Sequence, residues 1–164
     1  MVQTPHQAAQ ALYAALPHAL PRATLEEYGI EATTEQAQQI TREVLSLSLF
    51  WIRCALDATL MPKHREQVLS ELRRCILAGW QSELGLDGAD AEGYFEEAQE
   101  RRKLYDQVMQ EGASPVVIAT ETAAILVADA VVPPEDRPKI LALLIDLVPV
   151  DQFGELAEQI KLVD

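Results

Sequence analysis

The residues best suited to chemistry lie on one predicted helix, over residues 91–111, where two arginines fall among tyrosines. On a helical wheel the less polar arc of this helix contains Tyr94 and Tyr105, and Arg101 and Arg102 lie within the same arc. A guanidinium group recognises carboxylate or phosphate groups through paired hydrogen bonds. Tyr and Arg are also enriched among the residues that dominate protein interfaces. We therefore identify Tyr94, Arg101, Arg102 and Tyr105 as candidate ligand-binding or partner-binding residues.

Two interpretations of this arginine–tyrosine cluster remain open at the level of the sequence. In the first, the arginines are structural, with stems that cover apolar surface and guanidinium groups that form salt bridges. In the second, Tyr94, Arg101 and Tyr105 border a pocket for an anionic ligand or contact another protein, because helical bundles hold ligands between their helices.

A separate candidate, Phe50, lies in the predicted central helix near residues 34–60. This helix carries two large apolar seams with a strip of small residues between them, a pattern typical of a helix with neighbours on several sides. The remaining arc is polar and holds Arg53 and Asp57, which are spaced to pair across one turn. Phe50 falls within that polar arc. Either a loop or the N-terminal segment covers Phe50, or it contacts a second chain, and we identify it as an interface candidate.

The sequence contains no arrangement of residues typical of a catalytic or metal site. None of the three histidines, His6, His18 and His64, follows a Glu by three residues, as metal ligands of di-metal carboxylate bundles do. The acidic loop 87–93 places Gly88 where a calcium loop needs its first oxygen ligand. No phosphate-binding loop, nucleophile elbow or zinc spacing is present. We therefore predict no catalytic residue, no metal and no cofactor, and favour a non-enzymatic protein.

The chain is strongly acidic, with a formal net charge of −13 over 164 residues. Residues 1–80 carry a net charge of −1 and residues 81–164 a net charge of −12. Because an excess of acid repels phosphate backbones and anionic lipid surfaces, we expect neither nucleic acid nor a membrane as partner. The acidic half admits a third and less favoured hypothesis, imitation of nucleic acid, although its charges form no long regular ridge.

The composition predicts a folded protein of the cytoplasm. Hydrophobic residues make up 49% of the chain, which argues against disorder. No segment reaches the roughly 18 uninterrupted apolar residues of a membrane helix. Cys54 and Cys75 form no CxxC motif and are typical of reduced, buried thiols. The first ten residues lack the basic and apolar regions of a secretory signal.

The elements that must position these residues are all predicted to be helices. Capping hydroxyls, prolines and glycines divide the chain into about seven helices, two of them minor, joined by short linkers. The segments 116–120 and 140–148 could also form buried strands, but the Leu and Ala content of the second favours helix. We predict an all-α protein, with residues 1–164 forming a single-domain helical bundle around the helix near residues 34–60.

These observations favour a non-enzymatic helical protein that acts through protein–protein interaction, either as a homo-oligomer or with another protein. The alternative is a binding protein or an enzyme for an anionic small molecule, with its pocket near Tyr94, Arg101 and Tyr105.

Overall fold

The computed structural model describes residues 2–163, apart from the side chain of Asp90, and its secondary structure over this range is helical except for one isolated bridge between Gln3 and Leu162. The α-helices are α1 (Pro5–Ala15), α2 (Arg22–Glu27), α3 (Thr34–Thr59), α4 (Pro62–Ala78), α5 (Ala91–Gln110), α6 (Pro115–Ala128), α7 (Arg137–Leu147) and α8 (Val150–Gln159). The prediction of an all-α bundle is confirmed. In the described residues, no helix is both long enough and apolar enough to cross a membrane.

The helix starts follow from local hydrogen-bonding chemistry. Thr4 and Thr33 precede α1 and α3, and each threonine hydroxyl accepts a hydrogen bond from a backbone N–H three residues later. The glutamine at that later position, Gln7 or Gln36, accepts in return from the threonine N–H. Each capping box therefore satisfies two of the backbone donors that a helix start leaves without partners. Proline occupies the first position of α1, α4 and α6.

Helix α3 forms the centre of the core, as its two apolar seams predict. It contacts α2, α4, α5, α6 and α8, and half of its length is buried. The hydrophobic core is contiguous from Ala8 near the start of the chain to Ile160 near its end. Every other helix is therefore positioned directly or indirectly by its contact with α3.

Helix α4 packs mainly against α1 and much less against α3. At this contact Gly79 lies so close to the Tyr13 hydroxyl that a Cβ on Gly79 would collide with it. Helix α4 ends at Ala78, and Gly79 is its C-terminal capping residue. After the helix end, the Trp80 N–H donates to the Leu77 carbonyl three residues earlier, and the N–H groups of Glu83 and Leu84 both donate to the Gly79 carbonyl. Because α4 leans towards α1, a groove separates it from α5.

The polar arc of α3 is covered by α5, and this corrects the interpretation of Phe50. The Phe50 side chain is only 2% exposed. Its ring meets the Tyr105 ring edge-on, with centroids 5.3 Å apart, and the Trp51 ring with centroids 5.0 Å apart. A buried ring offers no surface to a second chain, so Phe50 is a core residue and not an interface residue.

Candidate functional site

Arg101 lies on the side of α5 that faces α3, where it is bound by a buried acid. Its guanidinium donates to both carboxylate oxygens of Glu43 at 2.8–3.0 Å, and the Glu43 side chain is 6% exposed. Burial raises the pKa of Glu43, and the hydrogen bonds from Arg101 oppose that rise. Hydrogen bonding to Glu43 in turn raises the pKa of Arg101. The Arg101 N–H groups that face Glu43 are thus used in hydrogen bonds within the protein, which supports a structural role for this arginine.

The hydroxyl groups of Tyr94 and Tyr105 are also hydrogen-bonded within the protein. The Tyr94 hydroxyl shares a 2.9 Å hydrogen bond with Ser46 on α3, and the Tyr105 hydroxyl shares a 2.7 Å bond with Thr122 on α6. Burial raises the pKa of both phenols above the ordinary value for tyrosine, so both stay neutral at physiological pH. The two tyrosines join α5 to α3 and α6. Among the described residues, two cavities that lie against α5 are lined by its Arg102 and not by Tyr94, Arg101 or Tyr105.

Arg102 occupies a different position, because one residue on a helix corresponds to a rotation of about 100°. It lies away from Glu43 and borders two adjoining cavities, with volumes of about 420 Å³ and about 170 Å³. Its nearest acid in the described residues, Asp106, is 3.8 Å away, beyond hydrogen-bonding distance. Of the four residues predicted on α5, Arg102 is the one that faces a possible ligand.

The larger cavity lies between α3, α4 and α5, and its walls are about half apolar and half polar or charged. Its volume falls within the range of small-molecule sites, and it is partly open to solvent. The apolar residues that line it come from all three helices: Leu49, Phe50, Leu69, Leu72, Ile76, Phe95 and Ala98. This lining would exclude water from the body of a bound molecule.

Arginines from three helices also border the larger cavity. Arg53 of α3 donates a 3.2 Å hydrogen bond to Glu66, an exposed acid on α4. The guanidinium of Arg73 on α4 lies 4.4 Å from the centre of the Phe95 ring. In the described part of the chain, no carboxylate lies within 4 Å of the Arg73 guanidinium nitrogens. Within the part of the chain that the structure describes, the guanidinium groups of Arg73 and Arg102 have no hydrogen-bonded acid.

The smaller cavity is polar and shares Phe50, Arg53 and Arg102 with the larger one. Its other lining residues are Cys54, Asp57, Arg65 and Asp106. Asp57 accepts a 2.9 Å salt bridge from Arg65, which replaces the predicted pairing of Asp57 with Arg53. Burial raises the pKa of the Cys54 thiol to about 11, so the sulfur is protonated at neutral pH and is a poor nucleophile.

The groove that these two cavities form is locally positive in an acidic protein. Four arginines and three acids line it, a net charge of +1, whereas the whole chain has a net charge of −13. Apolar walls lower the local dielectric constant and strengthen the attraction between a guanidinium group and an anion. The arrangement can therefore hold one anionic group next to an apolar body.

Sequence reasoning missed Arg53 and Arg73 as members of this groove. Arg53 was assigned to a local pair with Asp57, and the partner that it has, Glu66, lies on the next helix. A usable signal exists on α4, where Leu69, Leu72, Arg73 and Ile76 share one helical face. An arginine on an otherwise apolar face indicates an anion or a partner at that face.

No protein-family model, curated protein or solved structure matches this chain in comparisons of sequence and fold. In the described residues, no group of three or more His, Cys, Asp or Glu side chains is arranged to hold a metal ion. The candidate site is therefore defined by the residues of the groove itself.

We expect Arg101→Met to lower the free energy of unfolding by about 3 kcal/mol, because it leaves the buried Glu43 carboxylate without its partner. The double variant Glu43→Leu/Arg101→Met contains no unpaired charge and should lose less stability than Arg101→Met alone. Chemical denaturation followed by circular dichroism measures both losses. If the double variant loses as much stability as the single variants Arg101→Met and Glu43→Leu lose together, the two side chains are not coupled.

Proposed function

We propose that the protein is a non-enzymatic binding protein that holds an anionic ligand in the groove between α3, α4 and α5. The observation that carries this proposal is the convergence of Arg53, Arg73 and Arg102 on one cavity with a partly apolar lining in an acidic chain. Planar guanidinium groups are suited to carboxylate and phosphate groups because they donate parallel hydrogen bonds. The proposal keeps the predicted anionic ligand and moves its site from Arg101 to Arg102.

Binding rather than catalysis is supported by the chemistry of Cys54, which lines the groove, and of the two buried tyrosines of α5, which do not line it. The Cys54 thiol is protonated at neutral pH, and the Tyr94 and Tyr105 phenols are buried, neutral and hydrogen-bonded. None of these groups is prepared to attack a bound molecule or to take a proton from it.

We also propose that the protein acts in the cytoplasm and binds neither nucleic acid nor anionic membranes. The support for the compartment is the pair of free cysteines, Cys54 and Cys75, which suit a reducing environment. The support for the excluded partners is the net charge of −13, which repels polyanions.

The anion-binding proposal predicts that Arg102→Gln weakens the binding of 1-anilinonaphthalene-8-sulfonate about tenfold at low ionic strength. The expected loss corresponds to one charge-assisted hydrogen bond, roughly 1.5 kcal/mol. Fluorescence titration of the folded protein measures the affinity. The matched control is Arg74→Gln, which removes the same charge from a side chain that is 74% exposed and lies outside the groove. Equal affinities of the two variants would count against the groove as the site.

A second function, self-association, is favoured by the outer face of α6. This helix has a single charged residue, Glu121, and is apolar on all sides, whereas a surface helix usually has a polar outer face. Val116 and Val117 in its first turn are 52% and 43% exposed. A twofold dimer pairs the same patch on two copies, and the exposed apolar first turn of α6 has only one acid, Glu121, next to it on the same face, which suits contact between two acidic chains. We propose the outer face of α6, in place of Phe50, as the contact between copies.

Self-association through α6 predicts that Val117→Glu converts a dimer into a monomer, because it places a charge at the centre of the apolar contact. Size-exclusion chromatography with light scattering measures the mass in solution. Met61→Glu is the matched control, since Met61 is 70% exposed and lies in the turn between α3 and α4. A wild-type protein that is monomeric at tens of micromolar would rule out this contact.

A further inference from the structure

The two cavities of the groove differ in chemistry, and the difference orients a ligand. Seven of the thirteen residues that line the larger cavity are apolar, whereas five of the seven that line the smaller one are charged. Arg53 and Arg102 border both cavities, so they mark the boundary between the apolar part and the polar part. A molecule that follows this division has its charged end at Arg53 and Arg102 and its apolar end in the larger cavity.

The acids at this boundary restrict the charge of the head group. Asp57 and Asp106 line the smaller cavity, and Glu66 lines the larger one. Each of these carboxylates would repel a second negative charge on a head group bound at the arginines, because like charges close together repel one another. The boundary therefore suits a head with one negative charge better than a head with two.

The apolar wall indicates the length of the body. Leu69, Leu72 and Ile76 lie along one face of α4 and span eight residues, and the seven steps between the first and the last correspond to about 10 Å of helix. Phe95 lines the same cavity from α5, with the Arg73 guanidinium over its ring. This surface fits an unbranched apolar chain of medium length.

We infer that the groove binds an amphipathic monoanion, a small molecule of the class of medium-chain carboxylates. Its carboxylate accepts hydrogen bonds from Arg53 and Arg102, and its alkyl chain lies against Leu69, Leu72 and Ile76. This inference names the ligand class of the groove and rests on the proposed anion-binding function.

Glu66 is the competitor that such a ligand must displace. In the structure, Arg53 donates to Glu66 at 3.2 Å, and Arg65 donates to the same oxygen at 3.3 Å. The Glu66 side chain is 57% exposed, so it can exchange Arg53 for water. A carboxylate ligand takes over the Arg53 donor and releases Glu66 to solvent. Glu66 thus competes with the ligand carboxylate for Arg53.

The test is displacement of 1-anilinonaphthalene-8-sulfonate from the full chain by butanoate, hexanoate, octanoate and decanoate. We expect the affinity to rise about two- to fourfold per added methylene, because each buried methylene contributes up to about 0.8 kcal/mol. Decan-1-ol, the uncharged analogue of decanoate, should bind at least tenfold more weakly. Arg102→Gln should weaken decanoate more than Arg73→Gln does, since the head lies at Arg102.

Glu66→Gln should tighten decanoate binding at least threefold by freeing Arg53, and Glu71→Gln on the same helix is the control. The Glu71 side chain is 23% exposed, pairs with His6 and Arg74, and does not line the groove. Affinities that do not change with chain length, or decanol binding as tightly as decanoate, would overturn the ligand class. The proposed function fails separately, if the sulfonate probe binds Arg102→Gln as tightly as the wild-type protein.

Discussion

The buried salt bridge between Glu43 and Arg101 is the interaction on which the arrangement of the site depends. Both oxygens of the Glu43 carboxylate on α3 accept hydrogen bonds from Arg101 on α5, and the two residues are 58 positions apart in the chain. An unpaired carboxylate in this place would be costly, so the pair sets the rotation of α5 about its own axis. With Arg101 held against α3, Tyr94 and Tyr105 become buried, and Arg102 lies at the groove.

The groove itself exists because its two walls are attached to different neighbours. Helix α5 is held to α3 and α6, whereas α4 is drawn to α1 through the close contact of Gly79 with Tyr13. Helix α3 lies beneath the groove between α4 and α5 and forms its floor. The width of the groove therefore depends on packing at Gly79, which lies outside the cavity.

Much of the fold follows from local sequence signals, and much of the site does not. Capping threonines and first-turn prolines define the helix starts with few contacts from elsewhere, which is why these could be predicted. Arg101 and Arg102 lie on the same arc of the wheel, and only the distant partner Glu43 separates a structural arginine from one at the groove. Phe50 was misassigned for the same reason, since Tyr105 on a later helix covers it.

The central claim is that an amphipathic anion binds between α4 and α5 with its head at Arg53 and Arg102. The most direct measurement is a two-dimensional ¹H–¹⁵N NMR titration of the labelled protein with octanoate. The account predicts that the largest shifts occur at the Nε resonances of these two arginines and at backbone amides of residues 66–76 and 95–102. Shifts concentrated on α6, or an Arg102 Nε resonance that does not move at saturation, would contradict it.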